Sequence, residues 1–301
     1  MNKKVLVIGK GAIGVAVASR LKVLGYEPVF VGRKGPVEVH VHFKGWGQSF
    51  WLDIKKLSDE DISKVSCCFL AVKAFDLEGA GNRFIPYLAS GTPVISLSNG
   101  ATQGIVENLQ SKFPDKQMRL GFCTAGVTMV NQNHFELRSR IGGVFWGPLK
   151  KGSTITAFEK SLANNPHDTF FNYLDPVFKS HRIKWLFNTV LNSICGVKEY
   201  SNNGLLLSDI DYLRKVFSEA YILGEEIWGP WAEEKSKLFD DMVSLIASTK
   251  ENENSMYRDI KLRHKTETQF LAGLAPDREK YKELVMLHKK LVEKSPASDR
   301  G

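Results

Sequence analysis

Two short stretches hold residues whose types and spacing could do chemistry. In "GKGAIG" the glycines Gly9, Gly11 and Gly14 follow a short apolar run. In this pattern the first glycine permits a tight turn, the second lets backbone approach a pyrophosphate, and the third lets a helix pack on a strand. A helix N-terminus then faces the anion. A glycine turn with no ligand is the plainer alternative. In "KWLFNTVLN", Lys184, Asn188 and Asn192 stand four residues apart, which puts three polar groups on one helical face. Leu186, Val190, Leu191 and Ile194 supply packing in other directions. Such a stripe lines a cleft or faces solvent, and spacing alone leaves both open.

The elements around these residues set their positions. Residues 4–8, "KVLVI", form an apolar run of strand length, and a helical pattern closed by Gly25 follows the glycines. The second strand, "EPVFVGR", ends in Gly32, Arg33 and Lys34, with no carboxylate for ribose hydroxyls. Two cations there suit a 2′-phosphate and favour NADP(H) over NAD(H), a solvated loop pair being the alternative. Further apolar strands at "VSCCFLAVK" and "TPVISLSNG" alternate with helical patterns such as "EGAGNRFIPYLA". Alternation of this kind predicts a parallel, doubly wound sheet. Lys73 and Asn99 close successive strands at the carboxyl side, where open α/β sheets bind ligands. After about residue 184 long helical patterns take over. The expected architecture is therefore α/β: a Rossmann-type, dinucleotide-binding domain over 1–183, then an all-α domain over 184–301, with a site in the cleft.

Composition narrows the classes. The chain has 301 residues, 43% hydrophobic and 25% charged, as soluble globular proteins do. A net charge of +8 is scattered, with no aromatic-interleaved basic stripe, so nucleic acid is not the expected partner. No stretch of 18 apolar residues occurs, and "MNKKVLVIG" carries no cleavage signal, so a cytoplasmic protein that neither crosses nor binds a membrane is expected. Cys67, Cys68, Cys123 and Cys195 show no CxxC and read as buried free thiols. His40 and His42 in "VHVHF" alternate as strand residues do, and no ligand cluster accompanies them. Trp228 and Trp231 could argue for an interaction surface but read better as helix-packing anchors.

Taken in order, the pieces resemble the ketopantoate reductase family: "GKGAIG" with Arg33, "AVKA" ending at Ala74, "SNG" at Ser98 to Gly100, Lys184-x3-Asn188-x3-Asn192, "NNGLL" from Asn202, and "NSMYRDIKLRHKTE" from Asn254 to Glu267. The resemblance implies reduction of a branched 2-oxo acid, most simply 2-dehydropantoate, by NADPH in pantothenate synthesis; separately, a helical second domain often supplies a dimer face, so a homodimer is a possible assembly. It implies Lys184 as the catalytic lysine, and Asn188, Asn192, Asn203 and Ser255 as holders of the substrate's carboxylate and hydroxyl. Asn99 would touch both substrate and nicotinamide ribose. Gly9, Lys10, Gly11, Ala12, Ile13, Gly14, Arg33, Lys73, Gly126 and Glu267 would contact or line the cofactor site. No metal is implied. As hydride reaches a ketone carbon, charge grows on its oxygen, and an ammonium both stabilises that charge and donates the proton. Asparagines orient a carboxylate without adding a competing charge.

The family pattern is departed from at Trp185, which follows the lysine, and at Asp76 in "VKAFD". The compressed segment "HRIK" is compatible with a last strand of the first domain, which would aim Lys184 elsewhere. A reductase of another branched 2-oxo acid and a catalytically silent NADP(H)-binding redox sensor are the competing readings. Ser255 and Glu267 are expected on one helical stretch, because a 12-residue separation is a little over three turns and gives nearly the same face. Both are expected in the interdomain cleft, an exposed charged helix being the alternative.

Overall fold

In β1 (Lys4–Ile8) alternate side chains enter two different cores: Val5 and Val7 pack on one face, Leu6 and Ile8 on the other. A strand buried on both sides needs helices on both sides, which is the physical reason for a doubly wound layer. The computed structural model describes residues 3–31, 38–43, 48–53, 59–131, 134–137, 142–166 and 168–295.

The chain divides into two compact units, Met1–Ser98 with Thr102–His181, and Asn99–Ala101 with Arg182–Gly301. In the first unit β1 is followed by α1 (Ala12–Val23), β2 (Glu27–Val31), β3 (Glu38–Phe43), β4 (Gln48–Asp53), α2 (Asp59–Ile62), β5 (Cys67–Leu70) and α3 (Ala74–Phe84). Then come β6 (Pro93–Ser96), α4 (Gln103–Lys112), β7 (Gln117–Cys123), β8 (Val127–Asn131), β9 (His134–Leu137), β10 (Val144–Pro148), α5 (Ala157–Ala163) and β11 (Phe171–Tyr173). The main sheet has the order β11-β10-β7-β6-β5-β1-β2. From β2 to β7 every pairing is parallel. The expectation of a parallel sheet needs one correction, since β10 runs antiparallel to β7. A second sheet, β4-β3-β9-β8, was not expected from the sequence. The "VHVHF" run is its strand β3, paired in parallel with β9.

The adjacent thiols of β5 separate in the same way as the β1 residues. Cys67 belongs to one core and Cys68 to the other. All four cysteines are free and buried, and burial pushes the Cys67, Cys68 and Cys195 thiols up. They are inert packing groups at neutral pH.

The second unit is helical: α6 (Phe178–Lys198), whose first turn counts with the first unit, then α7 (Ile210–Trp228), α8 (Lys235–Ser248), α9 (Ser255–Lys261) and α10 (Lys282–Lys294). "HRIK" lies inside α6, so the strand alternative for that segment falls. The core gathers Trp185, Leu186, Val190 and Ile194 of α6 with Leu213 and Phe217 of α7, Met242 of α8, and Leu284 and Leu287 of α10. Trp228 meets Trp185 edge-on at 4.8 Å between ring centroids, and Trp231 donates from Nε1 to the Tyr221 carbonyl at 3.0 Å. Both tryptophans are packing anchors. No helix among the described residues is long and apolar enough to cross a membrane.

Candidate functional site

The glycine turn sits where the main sheet changes direction. The chain runs outward from β1 to β2 on one side and resumes with β5 on the other. The carboxyl ends of β1 and β5 therefore flank a switch point, the place where such sheets hold ligands. The Ala71 amide donates to the Ile8 carbonyl at 2.8 Å and closes that edge. The three glycines then divide by role. Gly9 has φ +106°, and a Cβ there would stand 2.2 Å from the Ala71 oxygen. A Cβ on Gly14 would stand 1.9 Å from the Gly9 oxygen. Both glycines are demanded by the protein's own packing. Gly11 is not: its backbone is extended and a Cβ would meet no atom within 4 Å. The open space over Gly11 suits a diphosphate approaching backbone.

The start of α1 agrees with that assignment. Gly11 is its N-cap and offers no side-chain cap, and the first turn holds no acidic residue. The first amides of a helix have no partners within it, so those near Ala12 and Ile13 can serve an anion. Lys10, half-buried, stands beside them. Lys73 is the N-cap residue of α3, just past β5, and Gly126 lies half-buried between β7 and β8. Ser98 Oγ donates to the Val72 carbonyl at 2.8 Å, tying the exit of β6 to that of β5. Arg33 lies outside the described residues.

In the helical unit, Lys184 is placed by its neighbour. Trp185 Nε1 donates to the Phe270 carbonyl at 3.1 Å, and the Ala101 amide donates to the same oxygen at 3.0 Å. Gly100, at φ +88°, has Phe270 packed against it so closely that a Cβ would fall 2.5 Å from Phe270 Cβ. One carbonyl thus holds the Asn99–Ala101 segment against the first turns of α6. The result is a hydrogen bond of 2.5 Å from Lys184 Nζ to Asn99 Oδ1. Upstream, Arg182 lies over the Trp231 ring at 4.4 Å and donates to the Gly229 carbonyl at 2.7 Å, with burial lowering its pKa.

The rest of the stripe runs down α6 from this pair. Asn192 lies two turns beyond Lys184, about 12 Å along the axis. The apolar residues between them are buried, whereas Lys184 and Asn188 are half-buried. At the far end Asn192 is 8% exposed, which removes the solvent-facing reading for that residue. Its Oδ1 accepts from Asn254 Nδ2 at 3.1 Å. Asn254 Nδ2 also donates to Asn203 Oδ1 at 3.3 Å, and Asn203 Nδ2 donates to Thr249 Oγ1 at 3.2 Å. Asn192, Asn203 and the chain next to Ser255 are therefore brought together.

Glu267 and Ser255 are not related as expected. The helix carrying Ser255 stops at Lys261, and Arg263 at φ +53° turns the chain away, so the two residues share no helical face. Ser255 is exposed as the first residue of α9, while Glu267 is buried and its carbonyl accepts the Phe270 amide at 2.9 Å. Asn254, Trp185 and Phe270 were not singled out as site residues from sequence. Asn254 had one visible signal, its type immediately before a helix start. A backbone carbonyl such as that of Phe270 has none.

The chain is similar to several known proteins. Residues 5–151 match the profile of "Ketopantoate reductase PanE/ApbA", and residues 178–282 match "Ketopantoate reductase PanE/ApbA C terminal". A 2-dehydropantoate 2-reductase of Aquifex aeolicus (strain VF5) is 26% identical over 284 residues, covering 91% of this chain and 89% of the relative. Among solved structures, D-mandelate dehydrogenase with NADH and anilino(oxo)acetate has a TM-score of 0.76 at 19% identity, covering 97% of this chain and 98% of that one. A dimeric ketopantoate reductase from Staphylococcus aureus has a TM-score of 0.74 at 16% identity, covering 97% and 100%.

Proposed function

Because the chain belongs to the ketopantoate reductase family of NADPH-dependent oxidoreductases, we propose that it reduces 2-dehydropantoate to pantoate, with Lys184 as the proton donor. The observation that carries this reading is the Lys184–Asn99 hydrogen bond at the head of the asparagine stripe. Bound NADPH supplies the hydride. The chain's own groups do the rest. Asn99 Oδ1 accepts an ammonium hydrogen of Lys184 and so fixes the direction of the group. A proton of this ammonium goes to the substrate's ketone oxygen as charge grows there. Asn188 and Asn192 offer amide hydrogens to the carboxylate two carbons' breadth away, and Ser255 and Asn203 complete that end. Glu267 and Lys73 belong to the cofactor side of the same reading.

The amides at the start of α1 and the open space above Gly11 support binding of the pyrophosphate. Arg33 is our contact for the 2′-phosphate, worth about 1–3 kcal/mol as a charge-assisted bond, so NADPH should bind more tightly than NADH. Equal affinities in a fluorescence titration would reject it. The domains 1–183 and 184–301 divide the labour between cofactor and substrate in this proposal. A cytoplasmic homodimer is the proposed assembly, checked by sedimentation.

The likeness to a D-mandelate dehydrogenase favours one second reading, an aryl 2-oxo acid in place of the branched one. Steady-state NADPH oxidation against branched, straight-chain and aryl 2-oxo acids tests both. Highest kcat/KM on 2-dehydropantoate supports the first reading, and highest kcat/KM on an aryl acid supports the second. No turnover of any 2-oxo acid rejects both.

A further inference from the structure

The asparagine cluster has a fixed polarity, and one residue sets it. Asn254 Oδ1 accepts the amides of Met256 at 2.9 Å and Tyr257 at 3.3 Å, capping α9. Backbone N–H groups only donate, so the atom facing them must be the oxygen and the amide cannot be turned round. Its nitrogen is thereby committed to the other side, where it donates to Asn192 Oδ1 and Asn203 Oδ1. The far end is locked as well. Thr249 Oγ1 gives its hydrogen to the Leu245 carbonyl at 2.7 Å and so must accept from Asn203 Nδ2. One group in the chain of amides is left over. The Asn192 nitrogen, on a residue 8% exposed, has no partner among the described residues.

We infer that Asn254 is a positioning residue that turns the Asn192 amide so that its NH2, not its oxygen, is offered to the substrate's carboxylate. This rests on the proposed 2-oxo acid site. An amide free to flip would present a repelling oxygen half the time. With its oxygen held by Asn254 Nδ2, the Asn192 amide presents hydrogens only. Asn254 does not touch the substrate; it acts through Asn192.

The test is Asn254→Asp. An aspartate caps a helix as well as asparagine does, so α9 and the melting temperature are kept. It cannot donate, however, and Asn192 must turn its NH2 towards the new carboxylate. KM for the 2-oxo acid should rise about tenfold or more, the size of one hydrogen bond to a charged group, while kcat and NADPH affinity change little. Asn254→Ser, which also caps but is too short to reach Asn192, should behave alike and covers the case in which the aspartate variant does not fold. Calorimetry with oxamate on the NADP+-loaded protein reads carboxylate binding without turnover. Weaker oxamate binding in both variants upholds the inference even if wild type turns over no 2-oxo acid, an outcome that would reject only the proposed reaction. Equal oxamate binding by wild type and variants, or none by wild type, overturns the inference, as does an unchanged KM in folded variants.

Discussion

In the proposed function the glycine turn and the asparagine cluster both present N–H donors to an anion, but one does so with backbone and the other with side chains. Backbone donors are positioned by the fold itself. Gly9 and Gly14 let strand and helix close on each other, and the amides near Gly11 follow. Side-chain amides can rotate and flip, so their donors must be held by partners. Asn192 is held by Asn254, and Asn203 by Asn254 and Thr249. The first device needs residues to be absent; the second needs extra ones present. Substitution should therefore act differently in the two places.

The largest effect should come from removing the proposed proton donor. Lys184→Ala should lower kcat by roughly 10²–10⁴-fold, the range for a general acid, with NADPH affinity unchanged by fluorescence titration. Full turnover would break the link between the asparagine stripe and catalysis. On the backbone side, Gly11→Val should fold with wild-type stability, because its Cβ has open space. It should lose NADPH affinity on the order of 10²-fold, as two charge-assisted backbone hydrogen bonds are blocked. Gly14→Val should lose stability instead, since its Cβ collides with the Gly9 oxygen. A stable Gly14→Val, or a Gly11→Val that binds normally, would erase the division of roles among the glycines.

Smaller effects sharpen the side-chain half. Asn188→Ala should raise KM about tenfold and leave kcat within about threefold, because a carboxylate contact is made in ground and transition states alike. The smallest effect belongs to His288, which lies apart from the stripe beside Thr268 Oγ1 at 3.1 Å. Burial lowers its pKa from 6.5, so the folded chain holds fewer protons than the unfolded chain just below that value. Stability should then fall as pH drops below the ordinary histidine range, and level off once the folded group also protonates. Melting curves of His288→Gln should show a shallower fall over that window, and an identical slope would remove His288 as the cause.

Local pattern made the glycine turn, the β1–α1–β2 start and the α6 stripe legible, because each depends on neighbours within a few residues. The second sheet was not legible. Its β3–β9 pairing joins His40 to His134, and nothing local to either announces the other. The split of Ser255 from Glu267 was hidden for another reason. Periodicity runs on through "RDIKLRHK", and only the left-handed backbone at Arg263, a residue type that seldom adopts it, ends the helix. Lys184 and Asn99 were legible as candidates, yet their meeting depends on the Phe270 carbonyl. Asn254 was hidden by its own ordinariness, since an asparagine before a helix reads as a cap and nothing more.

The helical unit is not one continuous piece of chain, since Asn99–Ala101 belong to it while the residues on either side do not. This bears on modularity. A gene fragment beginning at Arg182 would encode every helix from α7 onward and most of α6, yet would lack the three residues that meet Phe270 and Lys184. Grafting such a fragment onto another dinucleotide-binding half would transfer the lysine and the asparagines while leaving the lysine's partner to be supplied by the recipient. Exchange of substrate halves between relatives should therefore succeed only when the recipient already carries an Asn-Gly-Ala triplet after its fourth parallel strand, and the inheritance of these two stretches is coupled although they lie more than 80 residues apart.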